Sequence, residues 1–179
     1  MAELFSSVED LIAVLERPKR LIKPFPWVSP SQNGRRGLKL QTSLRDDTAS
    51  LQGVKLEIGC SSEGFDLPVR VVLLAEINKK ARAIARIDIN GSMHQNRPAI
   101  CGESQFMDAG RTHFHDTRMH RTIPIAELFN GSYDLPIARP IDDMPEDFTK
   151  AMEKCGELLH IENLVEIEEP QWQPRQFPL

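Results

Sequence analysis

Three of the chain's five histidines fall within Arg111-Thr112-His113-Phe114-His115-Asp116-Thr117-Arg118-Met119-His120. If this stretch is extended, Arg111, His113, His115 and Thr117 share one face, while Thr112, Phe114 and Asp116 take the other. The two imidazoles of His113 and His115 then stand about 7 Å apart on one surface, within reach of a shared metal, phosphate or proton. Upstream, Ala81 to Asn90 alternates in the same way. Ala83, Ala85, Ile87 and Ile89 form one face, and Arg82, Ile84, Arg86, Asp88 and Asn90 the other. If the two strands are neighbours, Arg86 and Asp88 lie alongside His113 and His115, and a one-residue change of register would scatter them. His94 and Asn96 occupy the intervening loop, and His120 follows the histidine strand.

Three chemistries fit these residue types. Metal-free cleavage of an RNA phosphodiester needs one histidine to take the 2′-hydroxyl proton, another to protonate the leaving oxygen, and an arginine to hold the phosphate. His113 and His115, with His94 or His120 as remote partner, would supply the proton transfers. Arg86 or Arg111 would clamp the phosphate and Asp88 would orient an imidazole. A metal site is the second. His113 and His115, with a third ligand from His120, His94 or Asp88, suit zinc or non-haem iron. The residue types do not favour a cofactor over the metal-free chemistry. The third reading is a noncatalytic sheet face that binds a partner, its cross-strand pairs contributing a few tenths of a kcal/mol each.

The elements that would position these groups follow from periodicity. A helix from Val8 to Arg17 has Val8, Leu11, Ile12 and Leu15 on one face, with Ser6 and Glu9 as its capping box and Pro18 after it. Residues 19 to 34 read as a Pro-rich basic arm, in which Arg20 and Lys23 are candidate nucleic-acid contacts. Phe25 and Trp27 would either stack on bases or anchor the arm to the core. Strands follow at Gly37 to Arg45, around Val54 to Ile58, and at Val69 to Ile77, with a hairpin at Asn78-Lys79-Lys80 leading into Ala81 to Asn90. A long loop, Ser92 to Gly110, precedes the histidine strand and holds Cys101. Ile123 to Phe129 reads as a short helix. A longer helix begins near Pro145, with Phe148, Met152, Cys155 and Leu159 at core spacing and His160 near its end.

The expected fold is α+β: about five mostly antiparallel strands, with an N-terminal and a C-terminal helix packed on one face. The other face is left open to carry the histidines. One domain spans 1–169, and 170–179 form a Pro-rich tail. The 40% hydrophobic and 27% charged content is that of a globular protein, and no run is long enough to suggest a membrane span. The N-terminus reads without a secretory signal, and three widely spaced cysteines give neither a zinc pattern nor a disulfide framework, so a reducing cytoplasm is expected. Arg17 to Lys39 holds seven basic residues and no acidic one, whereas Asp134 to Glu169 holds eleven acidic against three basic. Such blocks either prepare a surface for an anionic partner or attract each other.

The order Arg86-Ile87-Asp88, His94 and Asn96, then His113-Phe114-His115 resembles a signature of small bacterial proteins of unknown function. It is similar in outline to TumE-like proteins, the toxins of certain toxin-antitoxin pairs. The run His113-x-His115-x4-His120 also resembles the first metal motif of cupins, with histidine where that motif places a glutamate. The toxin-like resemblance covers Ala81 to His120 and implies a bacterial or phage protein acting on RNA, with an antitoxin as protein partner. The expectation carried forward is a nuclease-like toxin or defence module. A nucleic-acid- or protein-binding module and an HxH metal-dependent protein stand as alternatives.

Overall fold

The computed structural model describes residues 4–29, 37–96, 108–129 and 135–173. Helix α1 (Val8–Glu16) opens the fold and is followed by strands β1 (Arg20–Leu21), β2 (Gly37–Arg45), β3 (Ser50–Ser61), β4 (Val69–Ile77) and β5 (Lys80–Ile89). Two short strands, β6 (His94–Gln95) and β7 (Asp108–Gly110), precede the histidine strand β8 (His113–Asp116). Next come a 3-10 turn over Thr117–His120, a one-turn helix α2 (Ile125–Leu128), β9 (Ala138–Pro140) and helix α3 (Phe148–Leu159). Cys101 lies outside the described residues. Among those described, no helix is long and apolar enough to cross a membrane.

The main sheet has the order β1-β2-β3-β4-β5-β8-β9, and every neighbouring pair is antiparallel. Beside it, β6 and β7 form a separate two-stranded ribbon. Strands β2 and β4 begin and end where the sequence pattern does and β5 within one residue of it, while β3 runs from Ser50 to Ser61, well beyond the expected Val54 to Ile58. The β4–β5 hairpin turns on Asn78 and Lys79, both at positive φ (52° and 61°), the backbone a two-residue turn between twisted strands requires. Alternation then separates two faces. Leu40, Leu56, Ile58, Val71, Leu73, Ile87 and Phe114 point into one continuous core, which they share with Leu11, Ile12 and Leu15 of α1 and Phe148, Met152, Cys155 and Leu159 of α3. Both helices therefore pack into the same core as these strand residues. The other face carries, in cross-strand register, Gly59, Arg70, Asp88 and His113, with Glu57, Val72, Arg86 and His115 in the adjacent row.

Several expectations need correction. The described residues hold seven strands in the main sheet rather than about five, because β1 and β9 are two and three residues long and offer little alternation to read. The cap of α1 sits one residue later than expected. Ser7 Oγ accepts from the Asp10 amide, and the short Asp10 carboxylate accepts from the amides of both Ser6 and Ser7. Helix α3 starts at Phe148 with Asp147 as its cap, three residues beyond Pro145. The start of the arm is part of the fold, since β1 pairs with the end of β2 and Val28 bridges to Lys39. The Trp27 indole packs at 6.4 Å from the Phe148 ring and donates to the Glu168 carbonyl, so it anchors the arm to the core. The described start of the tail is docked too. The Gln173 amide donates to Ser62, and Trp172 lies edge-on to Phe148 at 6.2 Å.

Lys19 is a buried lysine, only 1% exposed. Its ammonium donates to the carbonyls of Leu15 at 3.0 Å, Arg17 at 2.8 Å and Leu159 at 2.7 Å. These carbonyls belong to the last turns of α1 and α3, where the helix leaves acceptors unpaired, so one cation closes two helix ends.

Candidate metal centre

The register of β5 against β8 builds the site. Arg86 lies opposite His115 and Asp88 opposite His113, while Phe114 between the histidines enters the core. Strand β8 is paired on both sides, by β5 and β9, which fixes its backbone along its whole length. The ribbon of β6 and β7 contributes a third imidazole, with His94 opposite Gly110. The ring centroids form a near-equilateral triangle: His94 to His113 5.1 Å, His94 to His115 4.7 Å, His113 to His115 5.0 Å. One ring nitrogen of each lies within 4.8 Å of one from the other two, close enough for a single metal ion to bind all three.

Each ring has one nitrogen assigned by a carbonyl. His113 Nδ1 donates to the Gly110 carbonyl at 3.0 Å, and His115 Nδ1 to the Leu135 carbonyl at 2.6 Å. His94 Nε2 faces two acceptors, Asn96 Oδ1 at 3.1 Å and the Pro136 carbonyl at 3.3 Å. A carbonyl can only accept, so in each case the proton belongs on that nitrogen. The other nitrogens are Nδ1 of His94, Nε2 of His115, which faces the Arg86 guanidinium, and Nε2 of His113, which faces the acceptor-only Asp88 carboxylate and has to leave it to meet an ion. Asn96 is itself strapped to β9, donating to the Ala138 carbonyl at 2.6 Å and accepting from the Ala138 amide at 2.8 Å.

Charged side chains meet the remaining nitrogens on β8. Arg86 Nη2 lies 2.6 Å from His115 Nε2, and its Nε donates to Asp88 Oδ2 at 2.7 Å. Arg70 Nε donates to Asp88 Oδ1 at 2.8 Å. His113 Nε2 is 3.3 Å from Asp88 Oδ2. Burial would raise the Asp88 carboxyl, but the His113 hydrogen bond and the charges of Arg86 and Arg70 outweigh it and hold the group well below the usual carboxylate range. Burial, reinforced by the Arg86 charge, pushes His115 down to about 3. Burial and the neighbouring His113 also lower His94. Neutral imidazole is the form that ligates a metal.

The expected open face is roofed at this point. His113 and His115 are 3% and 1% exposed, covered by the carbonyl-bearing segments that pin their rings. The site reaches solvent through a cleft of about 510 Å³, whose walls include Arg70, Arg86, Asp88, Met93, His94 and His113.

Other sequence candidates lie elsewhere. His120 is not beside His113 and His115. The 3-10 turn carries it into the interior, where Nδ1 donates to the Asp116 carbonyl at 2.8 Å and Nε2 accepts from the Ile137 amide at 3.1 Å. Among the described residues, the three histidines close enough to share an ion are therefore His94, His113 and His115, and not His113, His115 and His120. Arg111 is also not at the cluster. It donates to the backbone carbonyls of Gly91 and Asn90 and holds the turn beside the cleft. Arg20 pairs with Glu162 at 2.8 Å and Lys23 with Glu166 at 3.0 Å, at the β1 edge of the sheet opposite β9. There the basic and acidic blocks of the sequence attract each other. His160 ends α3 in the left-handed conformation, as a cap residue does. Sequence reasoning missed Arg70. Its signal was its position between the core residues Val69 and Val71 on β4, which puts it on the histidine face. Comparison with protein-family models, curated proteins and solved structures finds no match.

Proposed function

We propose that His94, His113 and His115 bind a divalent transition metal, zinc by ligand type, and that the loaded centre hydrolyses phosphodiester bonds. The observation that carries this reading is the convergence of three imidazoles, each with one ring nitrogen already held by a carbonyl. Protein-bound metals use histidines held in this way, the outer N–H given to a carbonyl and the inner lone pair kept for the ion. A zinc held by these three histidines would supply an activated water near neutral pH. The arginines on the cleft wall select an anionic ester. Arg86 has to release His115 Nε2 when the ion enters, and its guanidinium is then placed to hold a substrate phosphate. RNA is the substrate that the toxin-like resemblance implies.

The metal-free histidine mechanism has weaker support. Burial and the Arg86 charge push His115 down to about 3, which leaves it too weak a base to take a proton near neutral pH. A noncatalytic reading has one observation in its favour: the bond from Arg86 to His115 completes a paired polar network without an ion.

Elemental analysis of the purified protein, followed by zinc titration of the chelator-treated protein, decides between them. One equivalent of metal per chain is expected, together with RNA cleavage that stops with chelator and returns with zinc. Failure of the chelated protein to take up zinc at micromolar concentration would sink the proposal.

A further inference from the structure

We infer that the cleft admits one nucleotide at a time of a single-stranded nucleic acid, its phosphate held at Arg70 and its base laid over Gly59 against Val72 and Met93. This rests on reading the histidine cluster as a phosphodiester-cleaving centre and adds the form of the substrate and where it sits.

Four observations carry it. The two β8 histidines are nearly fully buried, so a scissile bond must enter the protein to reach them. A regular duplex keeps its backbone on a wide, stiff cylinder, whereas a single strand can turn one unit inward. The cleft's 510 Å³ falls within the range of roughly 300–1,000 Å³ in which pockets enclose a small ligand. Its lining is also two-sided. Arg70, with a side chain 62% exposed, supplies a cation, while Pro68, Val72 and Met93 supply an apolar wall. Met93, 59% exposed beside His94, extends that apolar wall to the mouth of the cleft.

Gly59 is the fourth observation. It sits inside β3, between Lys39 and Arg70 in register, and lines the cleft. A Cβ built there would meet nothing within 4 Å. Glycine weakens a strand, and neither its conformation nor crowding demands one here. Its effect is to keep the floor of the cleft clear for a ligand lying against the backbone.

The test measures fluorescence anisotropy of a short labelled strand, as RNA and as DNA, alone and annealed to its complement, with chelator-treated protein so that no cleavage occurs. The single strand should bind at least about tenfold more tightly than the duplex, and comparison of the two sugars identifies which nucleic acid is preferred. Gly59→Leu should weaken single-strand binding by about tenfold, with thermal stability and zinc stoichiometry unchanged, because the added side chain fills the floor. Arg70→Gln should weaken it by about fivefold and flatten its salt dependence. Equal affinity for duplex and single strand, or wild-type binding by both variants, would overturn the inference. Single-strand binding that depends on Gly59 in a protein that takes up no zinc would uphold the occupant and reject the hydrolytic centre. Zinc uptake without strand binding would do the reverse.

Discussion

Two groups of buried histidines stand within a few residues of each other and differ in what completes their bonding. His120 is closed by backbone alone, with one nitrogen on the Asp116 carbonyl and the other on the Ile137 amide. His113 and His115 are closed by backbone on one side only. Their other nitrogens meet Arg86 and Asp88, side chains that can move away. A backbone partner in a packed fold has nowhere to go, so His120 is a structural joint. A side-chain partner on a cleft wall is exchangeable, and that is what a ligand site requires.

Four experiments press on this contrast. The largest effect should come from the exchangeable pair: His115→Ala or His113→Ala should lower zinc affinity by at least about 100-fold, read by competition with a chromophoric chelator. The unfolding midpoint of the chelated protein should change much less than the affinity. His120→Leu should do the opposite. It leaves the buried Ile137 amide and Asp116 carbonyl without their imidazole and should cost about 3 kcal/mol in urea unfolding, while zinc stoichiometry stays at wild type. A His120 variant that lost zinc would dissolve the distinction.

The third effect is acid lability of the chelated protein. The folded His115 value, about 3, lies below the unfolded value near 6.5, so the unfolded chain binds more protons between them. The stability this group confers is intact above about pH 6.5 and is lost as pH falls toward 3. At pH 5 the loss from His115 alone should be about 2 kcal/mol, and His94 and His120, both also lowered by burial, add to it. Thermal melts at pH 7 and pH 5 measure it, and bound zinc should protect by mass action. The smallest expected effect is a gain. Arg86→Met removes the cation that competes for His115 Nε2 and should tighten zinc by about tenfold, while weakening capture of a phosphate-bearing substrate.

What could be read in the sequence followed from chain length per element. The nine-residue strands β2 and β4 repeat their pattern enough to fix both ends, and the HxH spacing around Phe114 was enough to put Arg86, Asp88, His113 and His115 on one face. Which group completes the cluster was left open among His120, His94 and Asp88. His120 is near in sequence but the 3-10 turn rotates it inward, whereas His94 arrives through a ribbon only two residues long on one side. The roof was invisible for a related reason. Its working groups are the carbonyls of Gly110, Leu135 and Pro136, and a carbonyl is the same whatever residue carries it. Lys23 and Arg20 misled because a block of charge in sequence does not say whether its partner is a ligand or the block's own opposite.

The clamp at Lys19 also governs the order in which the chain can fold. Its ammonium, drawn down to about 7 by burial and by the charges of Arg118 and Arg17, reaches the Leu159 carbonyl across 140 residues of sequence. Until α3 exists, the end of α1 lacks that contact and β1 has no Asn163 to receive its Leu21 amide. Contacts this distant in sequence close late. In pulse-labelled refolding, the amides of β3, β4 and β5 should gain protection before those of α1 and β1. On a ribosome, the N-terminal helix should wait undocked until the last helix has emerged.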